Sequence, residues 1–218
     1  MKRTLLFLLI AIQTGCTSWH YRVEKDKVVF GIRSWNHDPL DYPVEGADVA
    51  SFRTLKDGYA MDGAHVYLQG ERIENAEPAT FQILKDGYAK DRHRVFLSKC
   101  TLEGADPRSW MLIAEYWSRD SSRVYQGYSV VPGAHPETFR HIKGEWAIDD
   151  KRAYHHLNFY SADCHVEATL QLTVFDSIDP SSFEVIDGFH AKDAHHQYDA
   201  LRGPNQPSQP MRADGQHG

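Results

Sequence analysis

One aspartate recurs at a fixed place in each of five segments of the chain, and regularly spaced carboxylates could bind a cation. The five are Asp62, Asp91, Asp120, Asp149 and Asp193. Calcium sites, however, collect several carboxylate and carbonyl oxygens, whereas each segment here supplies one aspartate. Aspartate also accepts hydrogen bonds from the N–H groups of turns. The spacing therefore favours a structural turn ladder over a metal site.

Thirteen histidines raise a second possibility, a metal or catalytic centre. His155 and His156 are adjacent, as are His195 and His196, and adjacent side chains of a strand face opposite ways. The sequence has none of the His-x-His, HExxH or CxxC spacings that bind metal, and no G-x-S-x-G nucleophile motif. We therefore expect no catalytic residues, no metal and no cofactor.

Aromatic residues recur with the same spacing and form three columns. The first column is Phe52, Phe81, Trp110, Phe139 and Phe183; the second is Tyr59, Tyr88, Trp117, Trp146 and Phe189; the third is Tyr67, Phe96, Tyr125, Tyr154 and Tyr198. A short repeat has little else that is large to bury, so these columns are expected to form the core. Trp35 and Trp117 are kept as candidate exposed binding residues.

The columns define a repeat of 29 residues, with a last interval of 44 that includes an insertion of 15. Each unit shows about three short strands, and Asp57-Gly58, Asp86-Gly87 and Asp187-Gly188 are hairpin-turn signals. One unit cannot bury its aromatic face alone, so neighbouring units must stack. We predict an all-β fold of about five antiparallel β-meander repeats in an array. A propeller is less favoured, since its blades take about 40–45 residues.

The first residues are typical of an export signal: Lys2 and Arg3, a short apolar run, then Gly15 before Cys16. This pattern resembles the lipobox of bacterial lipoproteins, although Gln13 stands where an apolar residue is usual. The resemblance implies removal of residues 1–15 and acylation of Cys16. It also implies anchoring in the cell envelope, at the outer membrane of a Gram-negative cell. An ordinary secretory peptide is the alternative.

The rest of the chain divides at changes in pattern. Residues 16–43 form a lipid-anchored N-terminal segment with a first insertion, 44–202 the repeat domain with a hairpin insertion at about 155–176, and 203–218 a disordered tail. Cys100 and Cys164 could pair in an oxidising envelope, the alternative being two free thiols. The net charge of −6 argues against nucleic-acid binding.

Segments around the aspartates, such as Tyr88–Phe96 and Tyr59–Tyr67, resemble the DKNYY family, a bacterial repeat named for an Asp-Lys-Asn-Tyr-Tyr core. The resemblance covers roughly residues 44–200, and the units depart from it by carrying Arg, His or Gly after the aspartate. It implies the repeat fold and an exported location, and it brings no established activity.

We therefore expect a non-catalytic envelope lipoprotein, anchored in the membrane, that binds or scaffolds another protein. One alternative is an immunity or inhibitor protein whose negative charge steers it to a basic toxin. Another is a small extracytoplasmic hydrolase that uses His and Asp from the insertions. A deep cleft holding a close His–carboxylate pair would favour the enzyme, and an exposed apolar patch would favour binding.

Overall fold

The predicted all-β repeat fold is confirmed. A computed structural model describes residues 17–34, 37–156 and 172–203. In these ranges the chain forms six antiparallel sheets of three or four strands, each following the order of the sequence. The contacts divide the chain into two compact units, Met1–Ile83 and Leu84–Gly218.

The first unit contains an N-terminal sheet and the first repeat. The sheet comprises β1 (Thr17–Val23), β2 (Val28–Ser34) and β3 (His37–Pro43), with β2 in the centre. The repeat comprises β4 (Arg53–Thr54), β5 (Tyr59–Met61), β6 (Val66–Leu68) and β7 (Glu71–Arg72). A 3-10 turn at Pro78–Thr80 and β8 (Gln82–Ile83) complete the unit.

The second unit contains the following meanders. Its strands are β9 (Tyr88–Lys90), β10 (Val95–Leu97), β11 (Cys100–Thr101), β12 (Met111–Ala114), β13 (Trp117–Arg119), β14 (Val124–Gln126), β15 (Ser129–Val130), β16 (Arg140–Lys143), β17 (Trp146–Ile148), β18 (Arg152–His156), β19 (Leu172–Asp176), β20 (Glu184–Val185), β21 (His190–Lys192) and β22 (Gln197–Asp199). The sheets β4–β7, β12–β15 and β16–β19 each have four strands, not the three expected. Strands of two residues, such as β7 and β15, are too short to show a period in the sequence.

Aromatic rings join successive repeats. The second-column ring of one repeat contacts the first-column ring of the next, and the ring-centroid distances are 5.7 Å for Tyr59–Phe81, 5.0 Å for Tyr88–Trp110, 5.2 Å for Trp117–Phe139 and 5.9 Å for Trp146–Phe183. The 15-residue insertion leaves this contact in place. Six of these eight rings are buried, and Phe81 and Phe183 are half-buried. The expectation that the columns form the core is confirmed for the six.

A histidine takes the place of the second-column aromatic in the last repeat of the described residues. His190, and not Phe189, occupies its second-column position, because His190 lies two strand residues before Lys192 just as Tyr59 lies two before Met61. The assignment of Phe189 to the column was therefore wrong, and Phe189 is 40% exposed. Within residues 172–203 no further repeat follows, so an aromatic at this position would have no first-column ring to contact there.

The N-terminal sheet was missed by the sequence analysis, which treated residues 16–43 as an anchored segment with an insertion. Val28 and Phe30 of β2 are buried in one cluster with Ala60 and Tyr67 of the first repeat. The Tyr21 hydroxyl donates to the carbonyl of Gly58 at 3.0 Å and accepts from the Gly70 N–H at 2.8 Å. The sheet therefore belongs to the folded unit, and it escaped notice because its sequence does not repeat.

Two paired strands, which form the stem of the large insertion, flank it. Strands β18 and β19 run antiparallel, from Arg152 opposite Asp176 to His156 opposite Leu172. Residues 157–171, which include most of the predicted hairpin, lie outside the described residues. The insertion thus enters between the third and fourth strands of its meander.

Each of the three Asp-Gly signals lies in a hairpin turn, and two of them have the same turn type. Asp57 and Gly58 have φ of 56° and 81°, and Asp86 and Gly87 have φ of 54° and 77°, which is the backbone of the type I′ turn. At the third signal the side chain of Asp187 instead accepts the N–H groups of Phe189 and His190, both at 2.9 Å.

Candidate functional site

The repeated aspartate accepts four hydrogen bonds in the first, third, fourth and fifth repeats. In the first repeat, Oδ1 of Asp62 accepts the N–H groups of Ala64 at 2.7 Å and His65 at 2.6 Å. Its Oδ2 accepts the Asp48 N–H at 3.0 Å and the Tyr67 hydroxyl at 2.8 Å. Burial acts to raise the pKa of Asp62, but these hydrogen bonds outweigh it and lower the pKa to about 2.

The same arrangement recurs along the chain. Oδ1 accepts the N–H groups two and three residues later at Asp91, Asp120, Asp149 and Asp193. The hydroxyls of Tyr125, Tyr154 and Tyr198 donate to Oδ2 of the aspartate five residues earlier. These are the contacts that a turn role requires, and a cation could bind only by displacing them.

In three repeats a serine hydroxyl links the turn after the ladder aspartate to the turn that contains the serine. Ser51, Ser109 and Ser182 donate to the aspartate three residues earlier. Their Oγ atoms accept the N–H groups of Gly63 at 3.0 Å, Ser121 at 3.2 Å and Ala194 at 2.9 Å. Each of these residues directly follows a ladder aspartate, so the two turns of a repeat hold each other at one edge.

Exposed residue pairs occupy this edge, and we call them the variable pairs. They are the two residues after each ladder aspartate: Gly63-Ala64, Arg92-His93, Ser121-Ser122, Asp150-Lys151 and Ala194-His195. All ten residues are exposed. The second residue of each pair donates its backbone N–H to the aspartate, so its side chain is free to vary without loss of that bond.

In the fourth repeat His135 stands at the position that Asp48, Asp106 and Asp179 occupy in other repeats. Nδ1 of His135 lies 2.5 Å from Oδ1 of Asp150, which also accepts from the Thr138 hydroxyl at 3.1 Å. The histidine holds the pKa of Asp150 below its usual range. His135, Asp149 and Asp150 could each point one ligand atom at a metal, with these atoms within 4.8 Å of one another. Both oxygens of Asp149, however, already accept two donors each.

That histidine–carboxylate pair lies in the open. The side chains of His135 and Asp150 are 40% and 43% exposed, so water surrounds the pair and weakens its electrostatics. A catalytic dyad needs an excluded site beside a bound substrate. The pair therefore fits a surface contact of the turn better than the cleft that the enzyme alternative requires.

Trp117 is not an exposed binding residue, so that prediction was wrong. It is fully buried, and its ring contacts Phe139 and, edge-on at 5.3 Å, His156. The position of Trp117 in its repeat explains the error, because each second-column residue before the last repeat contacts a ring of the next repeat. Trp35, the other candidate, lies outside the described residues.

The cysteines are only partly described. Cys100 is buried in β11 and belongs to a disulfide. The other two cysteines of the chain, Cys16 and Cys164, lie outside the described residues, so the partner of Cys100 is not described. The pairing of Cys100 with Cys164 and the acylation of Cys16 therefore stay predictions.

Two histidines that the sequence marked only as an adjacent pair without ligand spacing are buried, which the sequence did not predict. His155 and His156 of β18 are 1% and 4% exposed. Nε2 of His155 lies 2.8 Å from the Gly188 carbonyl, and its ring contacts Trp146 edge-on at 4.8 Å. His155 pairs with Trp146 just as Leu68 pairs with Tyr59 and Leu97 with Tyr88, and this register is the signal that could have revealed the burial of His155. His156 stands where Gln69 and Ser98 stand in other repeats, so the repeat pattern gave no such signal for it.

Comparison with known proteins gives one family. The model of the DKNYY family matches residues 21–160, so the match begins inside β1 and takes in the N-terminal sheet. No curated protein and no solved structure matches the chain. No helix among the described residues is long and apolar enough to cross a membrane.

Proposed function

Since this chain belongs to the DKNYY family, we propose that it is an exported, lipid-anchored and non-catalytic β-repeat protein that binds another protein of the cell envelope. The observation that carries the proposal is the contrast between its framework and its variable pairs. The ladder aspartates and the first and third aromatic columns keep their type in all five repeats, whereas the exposed pair beside each aspartate changes.

The chemistry of the variable pairs supports a recognition surface. Arg92-His93 can donate to acidic groups, Ser121-Ser122 is neutral and small, and Asp150-Lys151 carries both signs. Repeat proteins bind through such surfaces, in which a rigid scaffold presents different side chains at equivalent places. Rigid presentation also lowers the entropy lost on binding.

Substitution at three variable pairs tests this surface. We propose the triple variant His93→Glu, Ser122→Arg and Lys151→Glu, in which each backbone N–H to the ladder aspartate is kept. The control exchanges Glu184→Lys and Lys192→Glu, an exposed ion pair of 3.2 Å on the last sheet. Both variants should melt within a few degrees of the parent.

The readout is cross-linking in the intact envelope followed by identification of the attached protein. Parent and control should yield the same partner, and the triple variant should lose it. Equal recovery of that partner by the triple variant would show that the variable pairs are not the binding surface.

The anchor has its own test. Cys16→Ser removes the thiol that would accept the acyl chain, so the variant should lose incorporation of labelled fatty acid and leave the membrane fraction. Normal cleavage and full membrane retention of the variant would contradict the lipoprotein assignment.

A further inference from the structure

We propose that the N-terminal sheet, β1–β3, lies against the lipid bilayer and that Trp19, Leu40 and Tyr42 enter its headgroup layer. The occupant of this surface is the membrane itself. The inference rests on the acylated Cys16 proposed above.

Only a short stretch of chain separates the proposed anchor, Cys16, from Trp19. Strand β1 begins at Thr17, the residue directly after Cys16, so no linker separates the anchor from the sheet. Three residues of extended chain span at most about 11 Å, which bounds the Cα distance from Cys16 to Trp19. The headgroup layer on each side of a bilayer is about 5–7 Å thick. An acylated Cys16 therefore keeps Trp19 at or next to that layer.

The register of the sheet places more apolar surface in the same row. Trp19 pairs with Ile32, and Ile32 pairs with Leu40, so the three side chains share one face. Tyr42, opposite Phe30, lies in the next row of that face. Trp19, Leu40 and Tyr42 are 41%, 48% and 49% exposed.

The central strand shows where the first repeat stops covering this face. Val28 and Phe30 are 1% and 3% exposed, whereas Ile32, nearer the Cys16 end, is only partly buried. Apolar surface is therefore left open at the end of the sheet where the anchor enters. Tryptophan and tyrosine are the side chains that favour the membrane interface.

Charge favours the same orientation. Residues 16–43 carry four basic and four acidic side chains, whereas the rest of the mature chain carries the whole excess of negative charge. On the other face of the sheet, Asp41 accepts from Arg22 at 2.9 Å and from Arg33 at 2.8 Å. A leaflet that contains anionic lipid repels the acidic repeats, and the neutral N-terminal sheet can approach it without that cost.

A comparable apolar set elsewhere serves as a control. Ile186, Phe189 and Leu201 of the last repeat are 51%, 40% and 65% exposed. No short chain segment ties them to Cys16, so exposure alone does not predict membrane contact there.

The test uses the full acylated protein in vesicles of phosphatidylethanolamine and phosphatidylglycerol, with and without brominated acyl chains. Bromine quenches tryptophan only at close range, and Trp110, Trp117 and Trp146 are buried. The parent should be quenched, and Trp19→Phe should lose a large part of that quenching. Equal quenching of parent and Trp19→Phe would overturn the proposal.

Hydrogen exchange provides an independent measurement. Amides of β1 and β3 should exchange more slowly on vesicles than in the soluble Cys16→Ser protein. The variant Leu40→Glu with Tyr42→Glu should lose that protection, while Ile186→Glu keeps it. If the acylated protein floats with vesicles but β1 and β3 gain no protection, the anchor stands and this orientation fails. If Cys16→Ser floats as well as the parent, the anchor itself fails.

Discussion

The hydroxyl of Tyr125 donates to Oδ2 of Asp120 at 2.9 Å, which joins a third-column aromatic to the ladder aspartate of the same repeat. The bond recurs from Tyr67 to Asp62 and from Tyr154 to Asp149. In the second repeat Phe96 stands at the tyrosine position and is fully buried, and a phenyl ring has no hydroxyl to donate. One chain thus contains both versions of the same contact.

Removing and adding this hydroxyl should have opposite effects on stability. Tyr125→Phe takes one donor from a buried carboxylate and should lower the free energy of unfolding by about 1–2 kcal/mol. Phe96→Tyr adds the hydroxyl that the third column carries in the other repeats and should raise the free energy of unfolding by up to about 1 kcal/mol. Urea unfolding of both variants measures the two changes. If both are neutral, the hydroxyl contributes nothing beyond the packing of the ring.

Loss of a ladder carboxylate should destabilise the protein independently of calcium. Asp120→Ala leaves the N–H groups of Ser122, Arg123 and Asp106 without their acceptor, and the cost should be about 1–3 kcal/mol. Thermal melts with chelator and with millimolar calcium check this. A calcium-dependent rise in the parent that Asp120→Ala lacks would instead identify the ladder as a metal site.

The disulfide can be counted directly. If Cys100 pairs with Cys164 and Cys16 is acylated, the unfolded, unreduced mature protein should show no reactive thiol. Reduction should expose two thiols and destabilise the fold by about 4 kcal/mol, as expected for closing a loop of this length. Two reactive thiols before reduction would contradict the pairing with Cys164.

Periodic features were the ones that the sequence could predict. Phe81 and Trp110 repeat at a fixed interval because each must meet a ring of the preceding repeat, so their spacing carries the fold. Trp19 and Leu40 belong to a sheet that occurs once, and no interval marks it. The variable pairs were missed for a related reason. They differ in type, and only the structure shows that Arg92-His93 and Asp150-Lys151 occupy equivalent exposed places.

Stability should fall below neutral pH because of a buried histidine at the stem of the insertion. The pKa of His156 is lowered to about 4, chiefly by burial. Glu145 acts to raise this pKa, whereas His155 and His141 act to lower it. Nδ1 of His156 has no hydrogen-bond partner among the described residues. The folded protein therefore favours the neutral ring.

Protonation of His156 destabilises the folded protein relative to the unfolded chain. With a pKa of 6.5 in the unfolded chain and about 4 in the fold, the unfolded chain binds the extra proton between these values. The contribution of His156 is complete above pH 6.5 and is lost as pH falls toward 4, on the order of 3 kcal/mol. His156→Phe should flatten this part of the profile of unfolding free energy against pH, whereas the exposed control His93→Gln should follow the parent. A His156→Phe profile as steep as that of the parent would assign the acid sensitivity to another group, with His155, whose pKa burial also lowers, as the next residue to replace.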